Sequence, residues 1–421
     1  MNTVFQNNFA APQQSRLITR SLALFVNFFL IILAYYQVKS ASRSLLIEFG
    51  GSEWFPYVWV YSAIVLTLLI GFYHGLVERH SRVRIVLGSL LVFASMLVVF
   101  RAVLDQHSTF TAVAFYIFVD IFSVVLVEQF WSLTVSISDP DDGKNSFWFV
   151  GTGGLAGGVA GGYLAGFLVE RTELATADLL YVCALLLIAT FVLNLFMWRA
   201  RMYEEVKGQR ALHQAKADWR SIIGNKYLML IAFVLCLSQL AQPVVEYQFI
   251  SAIERTYTEL DERTAFIGKF FGLMGLVSIG INLIATPLIH RYLGFFAGLV
   301  VQPLVLSVCS FGFLINSTLN AAVAMKISDR GLSYSINRAS KEQLYIPVDP
   351  VQTYQAKAWI DMLGYRLFKI IGSGLILLTT QWLPVSLDIG QLSFLTFIIC
   401  IVWIATIRLL AKSYDQLAAT A

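Results

Sequence analysis

Long apolar stretches, each long enough to span a membrane, run through almost the whole chain and constrain its fold more than any other feature. Hydrophobic residues make up 57% of the 421 residues and charged residues only 13%, whereas a soluble domain has roughly 25% charged residues. An α-helix needs about 20 apolar residues to cross a bilayer. The sequence therefore predicts an all-α integral membrane protein of about twelve transmembrane helices, with no large soluble domain.

The predicted spans fall into two sets of six, divided by the longest loop. This loop, 199–225, is rich in Lys and Arg, which accumulate in loops that stay cytoplasmic. We therefore predict an N-terminal six-helix half (1–198), a basic cytoplasmic linker (199–225) and a C-terminal six-helix half (226–421), with both termini cytoplasmic. The predicted spans are 21–47, 55–75, 84–104, 109–136, 146–169, 178–198, 226–250, 264–289, 294–315, 318–338, 357–380 and 389–410.

Ionisable residues inside these spans predict a polar cavity within the membrane. A charge near the bilayer centre costs about 3 kcal/mol or more unless it faces water or a partner, and a membrane scaffold has no need to retain such charges. The pairs Lys39/Arg43 and Lys326/Arg330 have i,i+4 spacing, so each pair shares one helix face. The other charges that we place inside spans are Asp120, Glu128, Glu246, Lys269, Asp329, Asp361, Arg366 and Lys369.

The balance of these charges predicts an anionic cargo. We count about seven basic against five acidic groups, and Lys and Arg bind phosphate or carboxylate oxygens by charge-assisted hydrogen bonds. For Asp329 and Asp361 the alternative is a salt bridge that joins helices without touching a substrate. Some aromatic residues are candidates for stacking on a base, with interfacial anchoring or core packing as the alternative; they are Tyr35, Tyr36, Trp131, Tyr247 and Tyr334.

The loop after the second span carries a glycine followed by an acidic–arginine pair and further basic residues. Gly75, Glu78, Arg79 and Arg82 resemble the signature of the major facilitator superfamily, whose two six-helix halves surround a site near the bilayer midplane. This resemblance implies a cytoplasmic gate at these four residues. The alternative is ordinary positive charge on a cytoplasmic loop.

A glycine-rich stretch in the fifth span is open to two interpretations. The run from Val150 to Gly166 has the composition of a phosphate-binding loop but lacks the Gly-Lys-Ser/Thr ending that such a loop requires. Glycines at 154, 158, 162 and 166 have the spacing of four that places small residues on one face for close helix packing. We favour packing.

No arrangement of residues indicates catalysis or a bound cofactor. The four cysteines lie inside apolar segments, and the five histidines are scattered without the spacing of a metal site. No Ser-His-Asp or Cys-His arrangement stands out. We therefore predict a protein that is not an enzyme, with no metal, no cofactor and no nucleic-acid partner.

Several segments resemble the ATP/ADP translocase family of plastids and intracellular bacteria. The best match is Lys341-Glu-Gln-Leu-Tyr-Ile-Pro347, followed by Lys357-Ala-Trp-Ile-Asp361 and by Lys369. Glu246 corresponds to a glutamate of the family's seventh span, and Glu128 resembles a glutamate of its fourth. The resemblance implies a major facilitator-like fold, exchange of ATP and ADP, and a role for Glu128, Glu246 and Lys369 in that exchange.

The chain departs from the family at two places. The family's first span carries Arg-Asp-x-Lys-Asp, whereas this chain has Lys39-Ser-Ala-Ser-Arg43, and Lys269 stands where the family has an aspartate. We interpret the chain as a divergent bacterial-type member.

Our leading hypothesis is a transporter in the bacterial inner membrane that exchanges nucleotides or a related phosphorylated anion by alternating access. The alternative is a proton-coupled major facilitator transporter of another organic solute, such as a siderophore, a peptide or a metabolite. Glu128 and Glu246 are the candidates for proton coupling. The predicted substrate-binding residues are Lys39, Arg43, Glu128, Glu246, Lys326, Arg330 and Lys369.

Overall fold

The computed structural model describes residues 4–79, 81–138, 140–203, 224–384 and 386–418, and these residues form helices and turns without any strand. The helices up to residue 199 are α1 (Val4–Gly50), α2 (Phe55–Arg79), α3 (Arg82–Leu104), α4 (Thr109–Ile137), α5 (Pro140–Arg171) and α6 (Leu179–Arg199). Short 3-10 turns, Ser52–Trp54 and Thr176–Asp178, precede α2 and α6. This part of the chain therefore has the six long helices that the sequence predicts for 1–198.

The helices after residue 225 are more often interrupted. They are α7 (Lys226–Thr256), α8 (Leu260–Gly280), α9 (Thr286–Ile315), α10 (Leu319–Leu332), α11 (Arg338–Gln343), α12 (Pro350–Trp359), α13 (Tyr365–Leu377) and α14 (Ser393–Ala418). Wider π-helical segments join several of them, at Ile281–Ala285, Ser333–Asn337, Ile360–Gly364 and Leu378–Trp382. Such segments are frequent at functional sites in helices.

Eight helical runs in the described part of the chain are long and apolar enough to cross a membrane. One of them, Leu260–Ile315, covers two predicted spans and is interrupted at Gly294, whose φ of 80° is not helical. The predicted spans at 55–75, 318–338 and 357–380 are not among the eight. The last two carry several charges, and each contains a π-helical segment. The all-α membrane fold is confirmed, while the count of twelve spans stays a prediction.

The chain forms two compact units. The first comprises the described residues of Met1–Leu45, Gly71–Ala211 and Leu260–Leu273. Within it α3 packs against α4 and α6, and the ring of Phe28 on α1 stacks on Phe130 of α4 with centroids 4.5 Å apart. The first turns of α8 thus lie in the same unit as α1 and α5.

The second unit comprises the described residues of Leu46–Ile70, Leu212–Glu259 and Met274–Ala421. Its central element is α7, which packs against α10, α13 and α14 and is the most buried of the candidate spans. The predicted division into 1–198, 199–225 and 226–421 stays a prediction. Most of the linker, residues 204–223, lies outside the described residues.

The glycines of α5 pack against neighbouring helices on two faces. A Cβ atom on Gly153 or Gly157 would lie 2.5 Å from the carbonyl oxygen of Phe25 or Phe29 on α1. A Cβ atom on Gly162 would lie 2.5 Å from the backbone nitrogen of Gly272 on α8. The close packing predicted from the sequence is confirmed. The glycines that contact the backbone of α1, however, include Gly153 and Gly157, which do not belong to the predicted series that begins at Gly154.

We expect Gly157→Ala to destabilise the protein by about 1–3 kcal/mol, because the methyl group meets rigid backbone of α1. The matched control is Gly151→Ala, since a Cβ atom there has nothing within 4 Å and alanine favours the helix. Thermal unfolding in detergent measures both. Equal unfolding temperatures for the two variants would contradict the packing role of Gly157.

Candidate functional site

The predicted substrate-binding residues fall into two groups, one in each compact unit. Lys39, Arg43 and Glu128 belong to the first unit, on α1 and α4. The members in the second unit, on α7, α10 and α13, are Glu246, Lys326, Arg330 and Lys369.

Lys39 lies against aromatic rings. Its Nζ atom is 4.0 Å from the ring centroid of Phe271 on α8, 4.5 Å from that of Tyr36 and 5.3 Å from that of Tyr35. The negative face of an aromatic ring attracts a cation at these distances. Since Lys39 is half-buried, these rings cover the buried side of its ammonium group.

Arg43, one helical turn further along α1, shares one of these rings. Its Cζ atom is 5.5 Å from the centroid of Phe271 and 5.3 Å from that of Tyr116 on α4. Its Nη1 donates a hydrogen bond of 3.2 Å to the carbonyl oxygen of Lys39, and the residue is only 8% exposed. The structure therefore brings the two predicted cations together against one phenyl ring.

Phe271 was not predicted from the sequence. Its side chain is 3% exposed, as expected of any phenylalanine in an apolar helix. Its contact with the two cations requires α8 to lie beside α1, although these parts of the two helices are more than 200 residues apart in the chain. The sequence shows only an aromatic cluster, Phe266, Phe270 and Phe271, next to Lys269, and this cluster does not indicate which helix the rings contact.

In the second unit, Lys326 lies in a buried ionic cluster. Its ammonium forms an ion pair with Glu246 of α7, and a second with Asp329 at 3.5 Å, all three side chains being less than a tenth exposed. Arg330 Nε lies 3.7 Å from Asp329 Oδ2. Three predicted site residues thus meet here. Asp329 pairs with Lys326 and Arg330 of its own helix, so the ion pair that joins two helices is that of Lys326 with Glu246.

The remaining charges predicted inside the spans are more accessible. Glu128 is exposed on α4, and Lys369 is half-buried on α13. Lys269, which occupies a position of divergence, forms an exposed ion pair with Glu170 on α5. Asp361 is exposed in a π-helical segment.

The predicted gating residues lie at the junction of α2 and α3. Gly75, Glu78 and Arg79 belong to the last turns of α2, and their side chains are outside the described part of the structure. Arg82 begins α3 and is partly exposed. Their role in a gate stays a prediction.

The segment that carries the strongest sequence resemblance is tied together by its own motif residues. Lys357 Nζ lies 2.6 Å from Glu342 Oε2 and 4.7 Å from the ring centroid of Tyr345. Lys341 Nζ lies 3.4 Å from the hydroxyl of Tyr365. Burial raises the pKa of the Tyr345 phenol well above its ordinary value. These contacts fix the turn between α11 and α12.

In the described part of the chain, no group of three or more His, Cys, Asp or Glu side chains is placed to hold a metal ion.

The sequence matches the profile of the TLC ATP/ADP transporter family over residues 103–329 and 318–414. It is 22% identical to ADP,ATP carrier protein 1 of Chlamydia trachomatis, across 98% of this chain and 92% of that protein. It is 21% identical to ADP,ATP carrier protein 1 of Rickettsia conorii, across 72% of this chain and 69% of that protein.

Solved transporter structures resemble the fold. A bacterial homologue of the iron transporter ferroportin, in an inward-facing state, has a TM-score of 0.66 and 15% identity, covering 93% of this chain and 98% of its own. The nucleoside transporter NupG has a TM-score of 0.59 and 12% identity, covering 94% of this chain and 99% of its own. The predicted major facilitator-like fold is confirmed.

The buried pair of Lys326 and Glu246 gives a prediction about stability. We expect Lys326→Met to cost about 3–5 kcal/mol, because it leaves Glu246 and Asp329 buried without their ammonium. The double variant Lys326→Met/Glu246→Gln should recover part of this loss. Unfolding temperatures in detergent, without ligand, measure both.

The control is Lys357→Met, which removes the same charge from a more exposed pair with Glu342. Such a pair contributes about 1 kcal/mol or less. If Lys326→Met were no more destabilising than this control, the buried cluster would not be holding α7 and α10 together.

Proposed function

The chain belongs to the TLC ATP/ADP transporter family, and on this premise we propose that it exchanges nucleotides of the ATP and ADP type, or a related phosphorylated anion, across a membrane. The family match carries this proposal, because it spans most of the chain. Exchange proceeds by alternating access, in which one set of helices moves against another around a site near the midplane. The membrane is the bacterial inner membrane, and both termini are cytoplasmic.

The cation pair of the first unit supports a phosphorylated cargo. Lys39 and Arg43 place two positive charges one turn apart on α1, which suits neighbouring phosphate groups. Arg offers a planar fork for two oxygens, and Lys acts as a point charge. The rings of Tyr35 and Tyr36 beside Lys39 offer faces on which a base can stack. A nucleotide presents both of these chemical groups together.

The second unit carries predicted substrate-binding residues of its own. Lys369 is half-buried on α13 and acts as a phosphate ligand. Lys326 contacts two carboxylates in this conformation, so it reaches a substrate only by exchanging partners. The substrate phosphates then replace the carboxylates around Lys326. Glu246 and Arg330 take part in binding through this change of ion-pair partners.

The alternative is proton-coupled transport of another organic solute. Glu128 favours it, because a carboxylate exposed on a helix with few other charges is a natural proton carrier. In that case Glu128→Gln should abolish transport driven by a pH gradient and leave binding nearly unchanged. Nucleotide exchange in the absence of any gradient should instead survive this substitution.

The function is tested with purified protein in liposomes loaded with ADP. Uptake of labelled ATP should depend on the internal ADP and should continue when the pH gradient is collapsed. Uptake of ATP into empty liposomes at the same rate would contradict exchange. Absence of ATP uptake, together with uptake of an unrelated solute along a pH gradient, would establish the alternative.

We expect Lys369→Ala to raise the KM for ATP exchange about tenfold or more, because a hydrogen bond to a charged group contributes about 1.5–3 kcal/mol. Its unfolding temperature should change little, since the side chain is not fully buried. The control is Arg255→Ala, which removes a basic group from an exposed pair with Asp388. An unchanged KM for Lys369→Ala would remove this residue from the site.

A further inference from the structure

We propose that a cavity between α5 and α8, inside the first unit, is a binding site for one anionic phospholipid. The cavity has a volume of about 620 Å³ and is lined by Tyr163, Phe167, Glu170, Arg171 and Lys269. Small-molecule sites have volumes of roughly 300–1,000 Å³. This inference goes beyond the proposed function, and it gives a role to Lys269, where the chain departs from its family.

The cavity lies beside a close contact between the two helices. A Cβ atom on Gly162 of α5 would lie 2.5 Å from the backbone nitrogen of Gly272 on α8. A Cβ atom on Gly166, one turn later, would lie 2.8 Å from Cγ of Lys269. The missing side chain of Gly166 thus makes room for the stem of Lys269, whose ammonium pairs with Glu170, a further turn along α5. The cation is therefore held at the edge of the helix contact.

The apolar wall of the cavity belongs to an exposed face of a spanning helix. Phe167 is 55% exposed, and Tyr163 one turn earlier is exposed as well. Leu155, two turns before Tyr163, continues this exposed face. All three belong to the candidate span Phe147–Arg171. Since large exposed apolar surfaces mark contacts with a membrane or a partner, we infer that the cavity opens toward the lipid.

The charged wall lies where this span ends. Arg171 is the last residue of α5 and of the candidate span, and its side chain is exposed. Lys269 pairs with Glu170, but an ammonium has three hydrogens to donate, so it keeps donors for a second acceptor. The lining thus carries two cations and one carboxylate. The excess of positive charge favours an anion.

A phospholipid matches both walls of the cavity. Its phosphate oxygens accept charge-assisted hydrogen bonds from Arg171 and Lys269, while its acyl chains cover the rings of Tyr163 and Phe167. The glycerol headgroup of phosphatidylglycerol leaves the lipid with a net negative charge. The ammonium of phosphatidylcholine would instead bring another positive charge beside the two cations. Charge complementarity therefore selects the anionic lipid.

The first test measures lipid binding to the purified protein in detergent by native mass spectrometry. One phosphatidylglycerol should bind more tightly than phosphatidylcholine. Arg171→Gln should weaken the binding of phosphatidylglycerol about fivefold or more, since that is the contribution of one basic residue near a membrane surface. The variant should fold normally, because the Arg171 side chain is exposed.

Arg199→Gln is the matched control. Arg199 also ends a candidate span, beside the exposed aromatic side chains of Phe196 and Trp198, but it is not among the residues that line the cavity. Its substitution should leave the binding of phosphatidylglycerol unchanged. Equal losses for Arg171→Gln and Arg199→Gln, or no loss for Arg171→Gln, would overturn the proposal.

Removal of the carboxylate should have the opposite effect. Glu170→Gln releases Lys269 from its ion pair and increases the positive charge of the cavity. Phosphatidylglycerol should therefore bind more tightly to this variant than to the unmodified protein. Weaker binding would contradict the assignment of the phosphate to Arg171 and Lys269.

A competition experiment distinguishes a lipid from a soluble phosphate compound. Glycerol 3-phosphate carries a phosphate without acyl chains, so it should not displace phosphatidylglycerol even at a large molar excess. Displacement at an equal concentration would show that the cavity binds a soluble anion and would overturn the lipid site. None of these measurements depends on transport, so a failure to exchange ATP would refute the proposed function and leave the lipid site standing.

Discussion

The fold depends on how it keeps charge inside apolar helices. A buried cation needs either a counter-ion or an oriented dipole, because its loss of hydration costs several kcal/mol. Both kinds of contact occur among the described residues. In the second unit Lys326 is surrounded by the carboxylates of Glu246 and Asp329, while in the first unit Lys39 and Arg43 lie over aromatic faces.

These two solutions differ in how easily an anion can replace them. A carboxylate carries the same charge as a phosphate oxygen, so substrate must displace a full ion pair to reach Lys326. An aromatic ring attracts a cation less strongly, by about 2 kcal/mol or somewhat more when desolvated, and gives it up at lower cost. The buried ion pair of Lys326 and Glu246 is therefore suited to hold α7 against α10.

Local spacing in the sequence predicted several features of the structure, but it could not predict which helices meet. Charges spaced i,i+4 and glycines spaced four apart have fixed positions on a helix, so the cation pair and the close packing of α5 could be read directly. The contact of Phe271 with Lys39 requires α8 to lie beside α1, and no local pattern specifies that. The same reason explains why the backbone contact of α5 with α1 at Gly153 and Gly157 was missed.

The two departures from the family have different consequences for the cargo. Lys269 replaces an aspartate but pairs with Glu170, and both side chains are about half exposed, so a nearby carboxylate balances the new charge. The departure in α1 changes the site itself. With Lys39 and Arg43 in place of a longer run of alternating charges, the site of the first unit keeps its cations but loses two carboxylates. A site with less negative charge binds a more highly charged anion with less repulsion, so under the proposed function we expect the altered α1 to favour phosphorylated substrates.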